Sequence, residues 1–184
     1  MPYIRKIIHD GHPTLRKVAK KVRAHELHDP LFQQFIDDMF ATMYDAPGIG
    51  LAAPQIDVPK RIFTVHLQDD KPEHGPFVVI NPKLLKTEGQ IESLEGCLSV
   101  PGMVGEITRF ETVVVGGIDR EGKKIELQGD GLFARCLQHE IDHLNGVLYI
   151  DSAKNLRPAV SEEEVEAATE IEPKADTTES DRAS

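Results

Sequence analysis

The chain has 184 residues, of which 40% are hydrophobic and 28% charged, proportions that are ordinary for one globular domain with a sizeable core. Of the formal charge of −10, −7 lies in residues 161–184, so residues 1–160 carry −3 and offer no basic stripe for nucleic acid. No apolar run reaches bilayer length, residues 1–13 lack the apolar core expected of a signal peptide, and two cysteines suit a reducing compartment. We therefore expect a cytoplasmic protein with a single domain over residues 1–160 and an acidic, disordered tail over residues 161–184.

The first strongly patterned element is a helix that begins at Asp29 and Pro30. Aspartate is a good N-cap, and proline suits the first helical position. Apolar residues then recur at three- and four-residue spacing, which predicts one buried face: Leu31, Phe32, Phe35, Ile36, Met39, Phe40 and Met43. Residues 46–48 (APG) end the helix, so we expect an amphipathic helix that packs against the core.

A run of small residues, GIGLAAPQ at residues 48–55, follows this helix. Glycine lets the backbone approach a ligand closely, and the amide of Gln55 can donate a hydrogen bond into a cleft. The run is not a phosphate-binding loop, because Ala53 stands where GxGxxG needs glycine and no strand leads into it. Taken alone, it is equally compatible with a plain turn.

The middle of the chain shows short runs typical of β-strands at residues 62–65, 77–82, 112–115 and 124–127. Between the second and third of these runs lies EGCLS at residues 95–99. A lone cysteine there is compatible with a small buried hydrophobic residue or with a metal ligand. Strands followed by one late helix favour an α+β fold.

The late helix runs from Asp130 to Gly146 and contains the sequence HEIDH. Because residues four apart share a helical face, His139 and His143 can present two imidazole nitrogens to one metal ion. Glu140 lies beside them, where it can move a proton of a metal-activated water. Apolar residues cover much of the circumference, which predicts a buried helix rather than an exposed turn with two solvated histidines.

Such a site needs a third ligand. The histidine that completes the long zinc-peptidase motif is absent, because Tyr149 stands in its place. Cys136 precedes His139 by three residues, but three ligands at these spacings on one straight helix cannot converge on one ion. Cys97 arrives from a separate part of the chain and can. A zinc endopeptidase and a metal-stabilised structural domain stay open as alternatives at this point.

Together, residues 48–55, 95–99 and 138–146 resemble the three signature motifs of the peptide deformylases, in the same order and with similar spacing. The resemblance covers about residues 3–155. It implies antiparallel or mixed sheets wrapped around a central metal-binding helix, with the N-terminal amphipathic helix as a further element. It also implies a hydrolase that removes the formyl group from the N-terminal formylmethionine of nascent polypeptides, in transient proximity to the ribosome. We expect a monomer with no nucleic-acid site and no membrane partner.

The resemblance implies a metal site as well. Cys97, His139 and His143 would hold one divalent ion, natively Fe²⁺, with Zn²⁺, Ni²⁺ or Co²⁺ able to occupy the same place. A water activated by this ion would attack the formyl carbon, with Glu140 as general base and then as general acid. Formate and a free methionine N-terminus would be the products.

Four further residues are assigned by the same resemblance. The side-chain amide of Gln55 and the backbone N–H of Leu98 would donate hydrogen bonds to the oxyanion. Gly50 and Ile49 would bind the substrate, and a side chain at Gly50 would obstruct its approach.

The sequence departs from the family pattern near the substrate entrance. Val104 lies in a region where many bacterial members carry an arginine, and Arg135 occupies a position near the methionine pocket that is often aliphatic. These differences affect the expected substrate preference rather than the chemistry. We also expect Glu95 to pair with Arg109 and to support the loop that carries Cys97.

Overall fold

The computed structural model describes residues 1–159, so the segment predicted to be an acidic tail lies outside the described residues. Within that range the chain forms the helices α1 (Pro30–Asp45) and α2 (Gly131–Leu144). The strands are β1 (Gly50–Ala52), β2 (Ile62–Val65), β3 (Phe77–Glu88), β4 (Ile91–Cys97), β5 (Val100–Arg109), β6 (Thr112–Ile118), β7 (Lys124–Asp130) and β8 (Lys154–Pro158). These elements confirm the predicted α+β class. None of the helices in this range is long and apolar enough to cross a membrane.

The strands form two antiparallel sheets, one in the order β1-β2-β3-β6-β7 and one in the order β4-β5-β8. Alternate residues of β2 and β3 point to opposite faces of the larger sheet. Phe63 and Val79 pack with α2, whereas Ile62 and Ile80 pack with α1. Because both faces of these strands are buried, the sequence shows them as nearly continuous apolar runs. The side of α2 away from this sheet contacts β4, so α2 is the central helix that the sequence predicts.

Helix α1 begins and ends where the sequence predicts. The Asp29 side chain accepts a hydrogen bond from Leu31 N at 2.9 Å, and the C-cap is Ala46. The predicted apolar stripe is wrong at Leu31, which is 79% exposed. Asp38 and Thr42 are buried instead, because their side chains accept hydrogen bonds from the N-terminal segment that crosses the helix.

The sequence prediction gives no separate run for four strands, namely β1, β4, β5 and β8, although β4 and β5 lie within residues 61–118, which the sequence predicts to be β structure. Residues 95–99 lie at the tip of the β4–β5 hairpin, a part of the chain separate from α2, as the sequence predicts for Cys97. Cys97 pairs with Val100, so Leu98 and Ser99 form the connecting turn. The hairpin carries glycine, proline and exposed polar residues, which hide the strand pattern.

Helix α2 agrees closely with its prediction. Asp130 is the N-cap residue, although its side chain makes no capping hydrogen bond. After the last turn Gly146 adopts a φ of +74°, and a Cβ there would lie 2.7 Å from the carbonyl oxygen of Arg16. Glycine is therefore required both by the backbone conformation and by the close approach of the N-terminal segment.

Candidate metal centre and substrate groove

Three predicted ligands meet at one point between β4 and α2. Cys97 Sγ lies 3.2 Å from His143 Nε2, and the two histidine Nε2 atoms are 3.2 Å apart. The three ligand atoms all lie within 4.8 Å of one another, and both histidines are on the face of α2 that contacts β4. The hairpin tip supplies the cysteine and one helical face supplies the histidines, as residues four apart allow.

The spacing and the chemistry of these atoms fit a divalent metal ion. Metal–nitrogen distances of about 2.0–2.1 Å and a metal–sulfur distance of about 2.3 Å place tetrahedral ligands about 3.3–3.6 Å apart. Two of the observed separations, at 3.2 Å, are slightly shorter than those values, and the third pair of atoms lies within 4.8 Å. One thiolate and two imidazoles leave a fourth position open, which is the arrangement of catalytic rather than structural sites.

The second cysteine lies close by but turns away from this cluster. Cys136 Sγ lies 3.6 Å from the carbonyl oxygen of Ile49, on the wall of the neighbouring groove. Burial raises the pKa of Cys136 well above its usual value, so its thiol stays neutral. Because a metal binds the thiolate, Cys136 is a poor ligand in this environment.

A network of charged residues orients His139. Arg109 donates to both Glu95 oxygens at 2.8 and 2.9 Å, and Glu95 Oε2 lies 3.0 Å from His139 Nδ1. The carboxylate thus holds the Nδ1 proton and leaves Nε2 directed at the metal position. Arg109 also donates to Asp142 at 2.5 Å, which ties β5 to α2. The expected Glu95–Arg109 pair is present, whereas the contribution of Asp142 had no signal in the sequence.

The pKa values of the two histidines are shifted in opposite directions. Burial lowers the pKa of His143 well below its usual value, so this imidazole is neutral and ready to bind a metal. Burial also lowers the pKa of His139, but hydrogen bonds with Cys97 and Glu95 outweigh it and raise the value to about 10. A metal ion held by His139 would displace a proton from it, so the affinity for the ion should rise with pH.

Replacing Glu95 by glutamine should destabilise the metal-free protein by about 3 kcal/mol at pH 7, because Arg109 would lose its main buried partner. Hydrogen bonds from Arg109 and His139 overcome the effect of burial and lower the pKa of Glu95 from 4.5 to about 2. A depressed carboxyl pKa stabilises the fold above the unfolded value and ceases to do so as the pH falls through the folded one. The difference between wild type and Glu95→Gln in urea unfolding should therefore shrink between pH 5 and pH 2.

The control is Glu92→Gln, since Glu92 is an exposed glutamate on the same strand whose side chain is 53% accessible. It should change stability by less than about 0.5 kcal/mol. A Glu95→Gln penalty that stayed constant over this pH range would contradict the assignment.

Glu140 lies beside the ligands as a buried carboxyl group. It is 3% exposed, and its Oε2 atom has no hydrogen-bond partner within the described residues. Burial raises its pKa to about 7. A carboxyl group with a pKa near the working pH can accept and return a proton with similar ease.

Gly50 packs directly against this carboxyl group. A Cβ at Gly50 would lie against Glu140 Oε1 and 2.8 Å from Cys136 Sγ. The sequence explains this glycine by the approach of the substrate, and the structure adds a second reason, namely the position of the Glu140 carboxylate.

Substitution of Gly50 by alanine should displace the Glu140 carboxyl group. We expect kcat/KM for hydrolysis of a formylmethionyl peptide to fall at least about tenfold. Overpacking should also lower the free energy of unfolding by about 1–3 kcal/mol. Steady-state kinetics and urea unfolding would measure both effects. Gly96→Ala is the matched control, because a Cβ there would lie 3.4 Å or more from its neighbours. Equal effects from the two substitutions would contradict this account.

Gln55 reaches the centre from the small-residue run. Its Oε1 accepts from Ala52 N at 2.9 Å, which fixes the amide so that Nε2 lies 3.5 Å from Cys97 Sγ and 3.2 Å from Ser99 Oγ. Ser99 is fully buried, and its own N–H donates to Cys97 Sγ at 3.4 Å. Ser99 was missed as a site residue, and only its position two residues after the cysteine could have indicated it.

The groove beside the centre contains the remaining predicted site residues. Ile49, Gly50 and Leu98 line it, together with Val104 and Arg135. The structure thus brings together every residue that the sequence assigns to the site. The elements that do so are β1, the β4–β5 hairpin and α2, and they correspond to the three motifs.

Comparison with known proteins agrees with this geometry. The family model described as polypeptide deformylase matches residues 4–159. The chain belongs to the peptide deformylase family. The peptide deformylase of Symbiobacterium thermophilum is 45% identical over 168 residues, which cover 91% of this chain and 75% of that one.

Solved peptide deformylase structures have the same fold. A crystal structure from Legionella pneumophila has a TM-score of 0.77 and 46% identity, covering 83% of this chain and 88% of that one. A structure of the Acinetobacter baumannii peptide deformylase bound to Met-Ala-Ser has a TM-score of 0.77 and 34% identity. The match covers 83% of this chain and 99% of that one. This peptide deformylase is thus a metal-dependent hydrolase that removes the formyl group from N-formylmethionyl peptides.

Proposed function

We propose that Cys97, His139 and His143 hold the catalytic metal ion, with Fe²⁺ as the native ion, and that Glu140 transfers the protons of the reaction. The observation that carries this proposal is the convergence of the three ligand atoms within 4.8 Å beside a buried carboxyl group. A divalent ion bound there would lower the pKa of water and polarise a carbonyl group. Zn²⁺, Ni²⁺ and Co²⁺ accept the same ligands and can replace Fe²⁺.

Glu140 acts twice in this scheme. Its carboxylate removes a proton from the water that attacks the formyl carbon, and it then gives this proton to the departing amine. The two transfers release formate and a free methionine N-terminus. The pKa of about 7 suits both directions, because neither transfer is strongly uphill at neutral pH.

Gln55 and Leu98 stabilise the charge that develops on the formyl oxygen. The Gln55 amide is held by Ala52 N, so its Nε2 points to the metal centre without reorganisation. The Leu98 N–H lies in the tight turn directly after Cys97. Donors that are fixed before the reaction stabilise a developing oxyanion more than mobile water does.

Gly50 and Ile49, which also line the groove, bind the substrate backbone. The absence of a side chain at Gly50 leaves its peptide group accessible from the groove. The Met-Ala-Ser peptide bound to the Acinetobacter relative supports a groove that takes the first residues of a chain. We place the activity in the cytoplasm, on nascent formylmethionyl chains near the ribosome, with the enzyme acting as a monomer.

The test is purification without oxygen, followed by metal analysis and an assay of formate release from formyl-Met-Ala-Ser. We expect one divalent ion per chain, mainly iron, and formate release that a chelator abolishes. Casein digestion without hydrolysis of the formyl peptide would instead indicate a zinc endopeptidase. A preparation that contains iron but releases no formate would contradict the proposal.

A further inference from the structure

One cation in the groove has no role in the scheme above. Arg135 lines the groove and lies four residues before His139, so the two residues share a face of α2. It is flanked by Leu94 and Leu132, which are 45% and 46% exposed. A positive charge between two accessible leucines can contact a bound peptide.

The guanidinium of Arg135 makes few contacts within the folded protein. Its side-chain hydrogen bond within residues 1–159 runs from Nη1 to the carbonyl oxygen of Leu94 at 3.2 Å. It takes part in none of the ion pairs formed by arginines or lysines of that range. A guanidinium has five N–H donors, so several of them are free for a ligand.

The carboxyl groups that also line the groove do not neutralise this charge. Glu95 is hydrogen-bonded by Arg109 and His139, and Glu140 is buried beside the ligands with a raised pKa. Among residues 1–159, Arg135 is therefore the one arginine or lysine that lines the groove. A neighbouring carboxylate of the substrate would be its natural partner.

Helix geometry indicates which substrate residue comes near Arg135. One helical turn advances about 5.4 Å, and helical side chains tilt towards the N-terminus of the helix, away from His139. The guanidinium thus lies on the order of 6–12 Å from the position of the formyl group. An extended peptide advances about 3.3 Å per residue, so the second and third residues of the substrate fall in this range.

We propose that Arg135 is a specificity-determining residue that favours formylmethionyl chains with an aspartate or glutamate at the second or third position and disfavours those with lysine. The proposal rests on the proposed function, because it requires the formyl group to sit at the metal centre. It adds a substrate class to that function, namely chains with an acidic N-terminal region.

The experiment compares the metal-loaded enzyme on formyl-Met-Asp-Ser with formyl-Met-Lys-Ser, and on formyl-Met-Ala-Glu with formyl-Met-Ala-Lys. For at least one pair, kcat/KM should favour the acidic peptide by about three- to thirtyfold at low ionic strength, mainly through KM. Salt should reduce this ratio, because a partly exposed ion pair is screened. Each ratio is measured within one enzyme preparation, so general losses of activity cancel.

Two substitutions of Arg135 separate charge from packing. Arg135→Gln should bring the acidic-to-lysine ratio close to one, whereas Arg135→Lys should retain part of it. Arg23→Gln is the control, because Arg23 is exposed and outside the groove lining, and it changes the net charge equally. This variant should keep the wild-type ratio.

The outcomes distinguish the two proposals. Formate release from every peptide with equal kcat/KM for acidic and lysine members would overturn the role of Arg135 alone. A ratio that Arg135→Gln leaves unchanged would do the same. No formate from any of the peptides would overturn the proposed function and the role of Arg135 with it.

Discussion

Replacing Glu140 by glutamine is expected to lower kcat/KM for formyl-Met-Ala-Ser by about 10²- to 10⁴-fold, the usual contribution of a general acid–base. Glutamine has nearly the same shape but cannot accept a proton from water or return it to the amine. The carboxyl is buried beside Cys136 and Gly50, so the isosteric amide should fit without repacking. The measurement is formate release at saturating and limiting peptide, together with the metal content of the same preparation.

The variant should keep its metal and its fold. Removing a buried group with a pKa near 7 takes away no salt bridge within the described residues, so stability should change little. Glu126→Gln, an exposed glutamate on β7, serves as the control and should retain wild-type activity. Full turnover by metal-loaded Glu140→Gln would remove Glu140 from the mechanism.

Substitution of Cys97 by serine should remove both the metal and the activity. A neutral hydroxyl is a far weaker ligand than a thiolate, and two imidazoles alone hold a divalent ion poorly. Changes to outer partners of metal ligands typically cost about 10–100-fold, so loss of a direct ligand should exceed this range. Metal content after gel filtration and formate release would be measured on the same sample.

Cys136→Ser is the matched control for this experiment. Both cysteines lie beside the groove, but only Cys97 contacts His143. Cys136→Ser should therefore keep one metal ion per chain, whatever it does to peptide binding. Equal metal loss from both variants, or retention by Cys97→Ser, would exclude Cys97 as the third ligand.

The parts of the site that lie on one helix could be predicted from local sequence. The four-residue spacing of His139 and His143 determines a common face whatever the tertiary fold, and the caps of α2 are signalled by Asp130 and Gly146. The choice of Cys97 as the proposed third ligand required an elimination, because nothing local distinguishes it from a buried hydrophobic cysteine. The combination of the three motifs at residues 48–55, 95–99 and 138–146 then supported the choice of Cys97.

The remaining parts depend on contacts between distant segments. Arg109 bridges Glu95 and Asp142, which are 47 residues apart in the sequence. The hydrophobic periodicity of a helix or a strand cannot predict a contact between such distant residues. The fit of Gly50 against Glu140 likewise arises only when β1 packs on α2. The β4–β5 hairpin escaped prediction because its glycines and exposed polar residues are needed for the turn and the groove rather than for a buried strand face.

Tyr149 explains how the fold differs from a zinc peptidase with a third histidine. It is buried, its Oη donates to the carbonyl oxygen of Met103 at 2.9 Å, and its ring centroid lies 6.2 Å from that of His139. This residue joins the segment after α2 to β5 and lies close to His139 of the candidate metal site. In the proposed site, Cys97 of the hairpin takes the place of the ligand that such a peptidase draws from this position.

The central claim is that one ion is held by one thiolate and two imidazoles. X-ray absorption spectroscopy of the zinc-substituted enzyme tests it directly. We predict one sulfur neighbour at about 2.3 Å and two imidazole nitrogens at about 2.0–2.1 Å, with the sulfur signal lost in any residual metal bound by Cys97→Ser. A first shell without sulfur, or one whose sulfur persists in that variant, would contradict the account.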